Sequence, residues 1–217
     1  MLTVCGVHVH VLPSGPIQTN AYLLSEPSTG QAVLVDAPEG IWDKAAPLLA
    51  RDGCRLAALW LTHGHWDHTQ GGAEVVRRSG AKVFAHKGDR ILIETPEVMR
   101  SRVIPGLVLE AIAVDTWLEN GAVLDALGEK VRVSHVPGHS PGSIMFHFPT
   151  AGSVFSGDVL FRQGVGRTDL PGGSFDELEA SIRTHLYSLP EATVVYPGHG
   201  GPTRVGDERQ SNPYVGA

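Results

Sequence analysis

A dense group of metal-binding side chains follows an apolar run, and this feature constrains the fold more than any other. Residues 56–61 have the length and composition of a buried strand. They lead at once into residues 62–68, Thr-His-Gly-His-Trp-Asp-His, which hold three imidazoles and one carboxylate. A strand that ends in such a loop brings several ligands to one point, and these donors suit zinc, iron or manganese. We therefore expect a metal site at the end of a buried strand.

Three later segments repeat the order of strand, glycine and ligand. His139, Asp158 and His199 each lie just beyond the end of a predicted strand and next to a glycine. Glycine lets the backbone approach a shared centre closely. The candidate metal ligands are therefore seven: His63, His65, Asp67, His68, His139, Asp158 and His199.

The size of this set predicts two metal ions rather than one. Five histidines and two carboxylates exceed the four ligands of a tetrahedral ion. Paired ions about 3.5–4 Å apart can share a hydroxide that is nucleophilic near neutral pH. We expect two divalent ions, with zinc as the first choice and iron or manganese as alternatives.

The predicted elements alternate as in a layered α/β protein. Period-two and apolar runs predict strands at 4–11, 20–24, 32–35, 56–61 and 81–85. Helices are expected at 41–51 and 72–79, followed by broken helical pieces over 87–110. From residue 122 the pattern indicates a β meander, then a helix over 174–188 with Ser174 and Glu177 as a capping box, and a last strand at 193–196. No linker or repeat divides the chain, so residues 1–217 are expected to form one domain.

Composition and charge argue against several classes of function. The net charge is −6 and the pI is about 6.0, so the chain offers no broad basic field to nucleic acid or an anionic membrane. No apolar run approaches the roughly 20 residues of a membrane span, and the N-terminus lacks the pattern of a signal peptide. We therefore expect a cytoplasmic protein. Cys5 and Cys54 are expected to be reduced and mostly buried.

Polar residues outside the set of seven receive plainer interpretations. His8 and His10 alternate on one face of a predicted strand, which favours exposure to solvent. Asp36 either supports the site or only ends its strand. Arg167, the candidate substrate-binding residue, either anchors an anionic substrate or pairs with Asp169. Four further histidines lack a glycine turn and are expected to be structural: His86, His135, His147 and His185.

The combined motifs resemble a known superfamily. The HxHxDH run, the later Gly-His, the Gly-Asp and the last Gly-His are similar to the signature of the metallo-β-lactamase fold superfamily. Within it, residues 156–161, 164–169 and 196–200 resemble the glyoxalase II group, the hydroxyacylglutathione hydrolases. The ending Asn-Pro-Tyr at 212–214 resembles the short, single-domain bacterial type. The resemblance implies an αβ/βα four-layer sandwich of two mixed β-sheets flanked by helices, with the site at one edge.

The resemblance also implies how the ligands are shared and which reaction they serve. One metal would be held by His63, His65 and His139, the other by Asp67, His68 and His199, with Asp158 bridging them. We further expect Asp67 to act in catalysis, by orienting the bridging hydroxide or taking its proton. The implied substrate is a small-molecule thioester such as S-D-lactoylglutathione. Only 18 residues follow His199, so the helical C-terminal domain that helps full-length glyoxalase II bind glutathione is expected to be absent.

Other functions remain open at this point. Persulfide dioxygenases resemble this chain in the Gly-Arg-Thr-Asp stretch at 166–169, but they use one iron and consume oxygen. Lactone hydrolases use the same two-metal chemistry. β-Lactam hydrolysis is less expected because such enzymes are normally exported. A metal-stabilised binding module without catalysis is the remaining alternative.

Overall fold

The structure, a computed structural model, describes residues 2–4 and 6–216 of the chain. Its strands are β1 Leu2–Val4, β2 Val7–Ser14, β3 Thr19–Glu26, β4 Gln31–Val35, β5 Arg55–Trp60, β6 Lys82–His86, β7 Thr116–Leu118, β8 Val123–Ala126, β9 Glu129–His135, β10 Ile144–Phe148, β11 Ser153–Gly157, β12 Leu160–Phe161, β13 Gly164–Val165, β14 Val194–Pro197 and β15 Thr203–Arg204. Its α-helices are α1 Ile41–Asp52, α2 Trp66–Thr69, α3 Gly72–Ser79, α4 Arg90–Glu94, α5 Phe175–Ser181 and α6 Val205–Ser211. Short 3₁₀ helices span Lys87–Asp89 and Pro96–Arg102, and a π-helix spans Ile182–Leu186. None of the described helices is long and apolar enough to cross a lipid bilayer.

Two mixed β-sheets form the frame of the molecule. The first holds seven strands in chain order, antiparallel from β1 to β4 and parallel from β4 to β7. The second holds six strands in the order β15-β14-β11-β10-β9-β8, antiparallel except for the parallel pair β11 and β14. Strands β12 and β13 form a separate hairpin.

Three groups of buried apolar side chains account for the stacking of these sheets. One group fills the space between them, where Trp60 of the first sheet stacks on Phe146 of the second with 4.8 Å between ring centroids. A second group packs α1 and α3 on the outer face of the first sheet, and a third packs α5, the π-helix and α6 on the second. Strand β3 shows the alternation, since Leu23 faces the helices while Tyr22 and Leu24 face the other sheet. The expected four-layer αβ/βα sandwich is confirmed.

The N-terminal prediction of one continuous strand over 4–11 is wrong. The chain forms β1 and β2, which pair antiparallel, and the turn between them contains Gly6 with a φ of 85°. A left-handed φ of this kind favours glycine. The apolar alternation continues across the turn, so the pattern alone does not reveal the reversal. The prediction for Cys5 falls outside the described residues.

The helix predicted over 174–188 changes its hydrogen-bonding pattern halfway. The Ser174 hydroxyl accepts a hydrogen bond from the backbone N–H of Glu177 at 3.3 Å, as predicted. The reciprocal half of a capping box is missing, because the N–H of Ser174 donates to the carbonyl of Gly138 instead. Helix α5 ends at Ser181, whose hydroxyl donates to the carbonyl of Pro137, and the π-helix follows. The N- and C-terminal ends of α5 are thereby joined to the loop that carries His139.

Candidate metal centre

The seven ligand candidates converge from loops that follow four strands. The loop and short helix after β5 carry four of them, and the loops after β9, β11 and β14 carry one each. Both sheets therefore contribute to one centre. Three overlapping groups have ligand atoms within 4.8 Å of one another: His63, His65 and His139; His63, His68 and Asp158; and Asp67, His68 and His199.

The first group has the spacing of ligands around a single ion. Nε2 of His139 lies 2.9 Å from Nδ1 of His65 and 3.2 Å from Nε2 of His63. Nitrogens bound about 2.0–2.1 Å from a tetrahedral zinc ion lie about 3.3 Å apart. All three imidazoles are buried, and each offers one nitrogen to the same point.

Two carboxylates lie at the centre: Asp67 belongs to the second group, with His68 and His199, and Asp158 connects the first group with it. Oδ2 of Asp67 lies 3.3 Å from Nε2 of His68 and 3.2 Å from Nε2 of His199. The two oxygens of Asp158 lie 3.3 Å from Nε2 of His68, 3.4 Å from that of His199 and 3.7 Å from that of His139. Asp158 thus contacts both histidine groups, which is the placement a bridging carboxylate requires.

Hydrogen bonds at the outer nitrogens fix the orientation of three imidazoles. Nδ1 of His68 lies 2.8 Å from Oδ2 of Asp36, and Nδ1 of His139 lies 2.7 Å from the carbonyl oxygen of Arg167. Nδ1 of His63 lies 3.1 Å from the hydroxyl of Thr62, which itself donates to Asp36. With Nδ1–H donating outward, each ring presents the lone pair of Nε2 to the centre.

Two buried atoms at the metal centre have no hydrogen-bond partner among the described residues. They are Nε2 of His68 and Oδ1 of Asp158, and both point into the centre. Buried polar atoms are rarely left unpaired, because desolvation without a partner costs about 1–3 kcal/mol. A cation between them would satisfy both. The chemistry of the donor set and these unpartnered atoms fit a pair of divalent metal ions.

Gly198 makes this close approach possible. A Cβ atom at this position would lie 2.0 Å from Oδ1 of Asp158 and 2.6 Å from Cε1 of His68. No side chain fits there, so the glycine before His199 is required by packing around the centre.

Without metal, the two groups differ in charge. Burial is the main cause that lowers the pKa of His65 to about 3, and the neighbouring His139 lowers it further. Burial and the adjacent imidazoles also lower the pKa of His63. For His199, burial favours a lower pKa, but the hydrogen bonds to Asp158 and Asp67 have the larger combined effect. The net result is a pKa raised to about 9. In the metal-free protein, the group of Asp67, His68 and His199 therefore carries protons at the positions where a cation would bind.

Several supporting residues were not predicted from the sequence. The carboxylate of Asp89 accepts hydrogen bonds from the N–H of Gly64, the N–H of Gly142 and the hydroxyl of Ser140, each at 2.7 Å. It joins the loop after β5 to the loop after β9. The hydroxyl of Thr19 donates to Oδ2 of Asp67 at 2.8 Å. Their local sequence carries no signal, because each acts on a loop that is distant along the chain.

The two residues with open interpretations take clear positions. Asp36 has a φ of 61° and accepts from the N–H and hydroxyl of Thr62, so it supports the site rather than only ending β4. Arg167 forms two hydrogen bonds with Asp169, at 2.7 and 2.6 Å. Its backbone carbonyl, not its guanidinium, contacts the metal centre through His139.

The exposure predicted for His8 and His10 is wrong. His10 is buried and His8 is partly buried, and both lie against the carboxylate of Asp52 at the end of α1, at 2.8 and 3.3 Å. These three could hold a metal by residue type, but the guanidinium of Arg51 lies 3.3 Å from Nε2 of His10 and opposes a cation there. This cluster is therefore a network of polar contacts that joins α1 to β2.

The remaining histidines lie outside the centre. The rings of His86 and His135 stack with 4.0 Å between centroids, and burial lowers the pKa of His86 to about 4. His147 is buried within β10, and His185 lies in the π-helix. All four positions agree with a structural role.

A cavity of about 690 Å³ opens over the metal centre. Five of the seven ligand candidates line it, together with mainly apolar side chains from residues 88–102 and from the β12–β13 hairpin. This volume suits a small molecule.

Comparisons with known proteins agree with this geometry. Residues 14–199 match the family described as the metallo-beta-lactamase superfamily. The chain is 36% identical to a probable metallo-hydrolase, YqgX, of Bacillus subtilis, across 94% of this chain and 95% of that protein. It is 31% identical to the hydroxyacylglutathione hydrolase GloC of Haemophilus influenzae, across 96% and 98% of the two chains.

Solved structures show the same architecture. The crystal structure of BLEG-1 B3 metallo-beta-lactamase is 37% identical, with a TM-score of 0.88, and the match covers 96% of this chain and 99% of that one. TTHA1623, solved in a di-iron-bound form, is 39% identical with a TM-score of 0.80, and the match covers 95% and 100%. The family match, these relatives and the clustered ligands lead to one conclusion: this chain belongs to the metallo-β-lactamase superfamily of metal-binding hydrolases.

Proposed function

We propose that the protein hydrolyses a thioester, with S-D-lactoylglutathione or a related hydroxyacylglutathione as substrate and two divalent ions, zinc first, as cofactors. The observation that carries this proposal is the position of Asp158, whose carboxylate contacts both histidine groups on the floor of a cavity large enough for such a molecule. The similarity to a hydroxyacylglutathione hydrolase along 98% of that relative supports the choice of substrate.

The residues of the chain have separable roles in this reaction. When bound, two divalent ions supply Lewis acidity and lower the pKa of water. His63, His65 and His139 would hold one ion, Asp67, His68 and His199 the other, and Asp158 both. The carboxylate of Asp36 orients the imidazole of His68 through its Nδ1, and the backbone carbonyl of Arg167 orients that of His139 in the same way.

Asp67 is suited to orient the attacking water. Burial raises the pKa of its carboxyl, but the charge on His68 and the hydrogen bonds from His199 and Thr19 outweigh burial and lower it. The ionised carboxylate can accept a hydrogen bond from water and direct the remaining lone pairs toward the substrate carbonyl. The thiolate is a good leaving group, so the reaction requires no strong acid.

A direct assay tests this proposal. The purified protein, loaded with zinc, is mixed with S-D-lactoylglutathione, and the release of free thiol is followed. We expect hydrolysis that a chelator abolishes and added zinc restores. Absence of thiol release from the metal-loaded protein contradicts the proposal. Oxygen uptake with glutathione persulfide and a single bound iron would instead indicate a dioxygenase.

A second candidate reaction is β-lactam hydrolysis, which the similarity to BLEG-1 favours. The same ligand set and open cavity could accommodate a strained cyclic amide. A chromogenic cephalosporin added to the same preparation tests it. Hydrolysis of the cephalosporin at a higher kcat/KM than that of the thioester would make this the principal activity. A simple lactone in a parallel assay tests lactone hydrolysis in the same way.

A further inference from the structure

One side of the cavity is formed by apolar side chains, two of which are largely exposed to solvent. We define the apolar wall as Ile91, Leu92, Val98 and Met99, all from α4 and the 3₁₀ helix that follows it. Ile91 is 60% exposed and Val98 is 45% exposed. Exposed apolar patches that line a cavity are characteristic of ligand sites, because a bound apolar group removes them from water.

The apolar wall is a packed element and not a loose loop. Met99 is buried with Val103 and Leu109 in a separate apolar cluster, against which Leu92 and Trp66 pack. Trp66 directly precedes Asp67 at the metal centre. The wall is therefore held at a fixed place beside the ligands, as a specificity surface requires.

Arg102 ends this 3₁₀ helix and supplies a positive charge to the same cavity. Within the described part of the chain it forms no hydrogen bond or ion pair through its side chain. The other arginine that lines the cavity, Arg167, is already paired with Asp169. The nearby Arg100 and Arg90 are paired with Glu97 and Glu94. Arg102 is thus available to an anionic group of the substrate.

We propose that, among hydroxyacyl thioesters carried on an anionic thiol, this cavity selects those whose acyl group extends into an apolar chain. The acyl group lies on the apolar wall, and the guanidinium of Arg102 binds a carboxylate or phosphate of the thiol carrier. This inference rests on the proposed thioesterase function. The assignment of the two parts follows from their chemistry, since common thiol carriers such as glutathione are charged and the acyl group is the part that can be apolar.

Binding of non-hydrolysable thioethers tests this selection without a catalytic readout. Isothermal titration calorimetry on the metal-loaded protein would compare S-hexylglutathione with S-methylglutathione. Each buried methylene contributes about 0.8 kcal/mol, so even partial burial of the hexyl chain predicts binding at least about tenfold tighter. The S-hexyl ether of N-acetylcysteamine, which has no charge, should bind at least about tenfold more weakly than S-hexylglutathione.

Matched variants assign the two effects to their residues. Arg102→Met keeps an apolar stem and removes the charge, and it should weaken S-hexylglutathione by about tenfold while leaving the uncharged ether unchanged. Arg102→Lys should restore most of the affinity. Ile91→Ser together with Val98→Ser should reduce the preference for hexyl over methyl to less than about threefold. Arg78→Met, an exposed arginine that does not line the cavity, is the control and should change nothing.

The outcomes separate this inference from the proposed function. Release of thiol from S-D-lactoylglutathione, combined with equal affinity for the hexyl and methyl ethers and no effect of Arg102→Met, would overturn the inference alone. Tight, Arg102-dependent binding of S-hexylglutathione without hydrolysis of any thioester would support the binding site and overturn the thioesterase. Loss of affinity for the uncharged ether in Arg102→Met would show that the arginine acts through packing, which also contradicts the inference.

Discussion

At the scale of single residues, the metal centre depends on Asp158 because its carboxylate is the group shared by both histidine sets. The Asp158 side chain is 12% exposed, and one of its carboxylate oxygens has no hydrogen-bond partner among the described residues. The surrounding positive charge of His68 and His199 overcomes burial and lowers the pKa of Asp158. This side chain is therefore ionised and available to a cation.

Removing the carboxylate should empty the centre. We expect Asp158→Ala to lose both ions, because each histidine set then lacks the carboxylate that the two sets share. Elemental analysis after dialysis against metal-free buffer measures the loss, and circular dichroism checks that the variant is folded. The control is Asp125→Ala, whose exposed carboxylate pairs with Lys130. Retention of two ions per chain in Asp158→Ala would refute the bridging role.

The different charges of the two groups predict different responses to pH. His199, with its pKa raised to about 9, is protonated at neutral pH in the metal-free protein, so a cation must displace that proton. One displaced proton costs about tenfold in metal affinity for each pH unit below 9. His65, with a pKa lowered to about 3, stays neutral and incurs no such cost.

We therefore expect the group of Asp67, His68 and His199 to release its ion first as pH falls from 9 to 6. Competition titrations with a chelator at pH 6, 7.5 and 9 would resolve two binding steps that separate further at low pH. Two steps that shift together by the same amount would contradict this difference.

At the scale of elements, Asp89 joins the two loops that carry the first histidine group. Its carboxylate accepts three hydrogen bonds from those loops, and burial raises its pKa in spite of them. Nothing in the local sequence distinguishes it from a surface aspartate in a Lys-Gly-Asp-Arg turn. The link arises because the 3₁₀ helix Lys87–Asp89 and the loop after β9 meet only in the folded chain.

Asp89→Ala should loosen this link without removing any metal ligand. Supporting hydrogen bonds of this kind typically change metal affinity by about 10–100-fold, so we expect the ion at His63, His65 and His139 to be held that much more weakly. Chelator competition measures the change, again with Asp125→Ala as the control. Unchanged affinity at both positions would mean that the loops hold their shape without Asp89.

At the scale of the whole molecule, the sandwich depends on the apolar layer between the two sheets. Phe146 is fully buried there and stacks on Trp60. We expect Phe146→Ala to reduce the free energy of unfolding by about 3–5 kcal/mol, since truncation leaves a cavity in a close-packed core. Urea denaturation of the zinc-loaded protein measures it. Val123→Ala, at an exposed apolar position, should cost less than about 1 kcal/mol. Equal losses in both variants would contradict the central position of this layer.

The sequence predicts the layers and the seven converging side chains for a common physical reason. Strands covered on both faces read as apolar runs, and ligands placed directly after such runs meet at the strand ends. Features that depend on chain crossings could not be predicted in this way. The turn at Gly6 lies within a continuous apolar alternation, and the contact of His10 with Asp52 forms only when α1 packs beside β2. Arg102 lies beside the cavity without a charged partner among the described residues, and this too depends on the folded chain.

Counting the metal ions tests the central claim most directly. The protein would be stripped with a chelator, equilibrated with zinc at pH 8, dialysed against metal-free buffer and analysed by elemental mass spectrometry. We predict two zinc ions per chain, with His63→Ala together with His139→Ala lowering the count to one or fewer. A count of one or fewer in the unaltered protein, or a count of two that this double variant leaves unchanged, would contradict a two-metal centre built from these seven side chains.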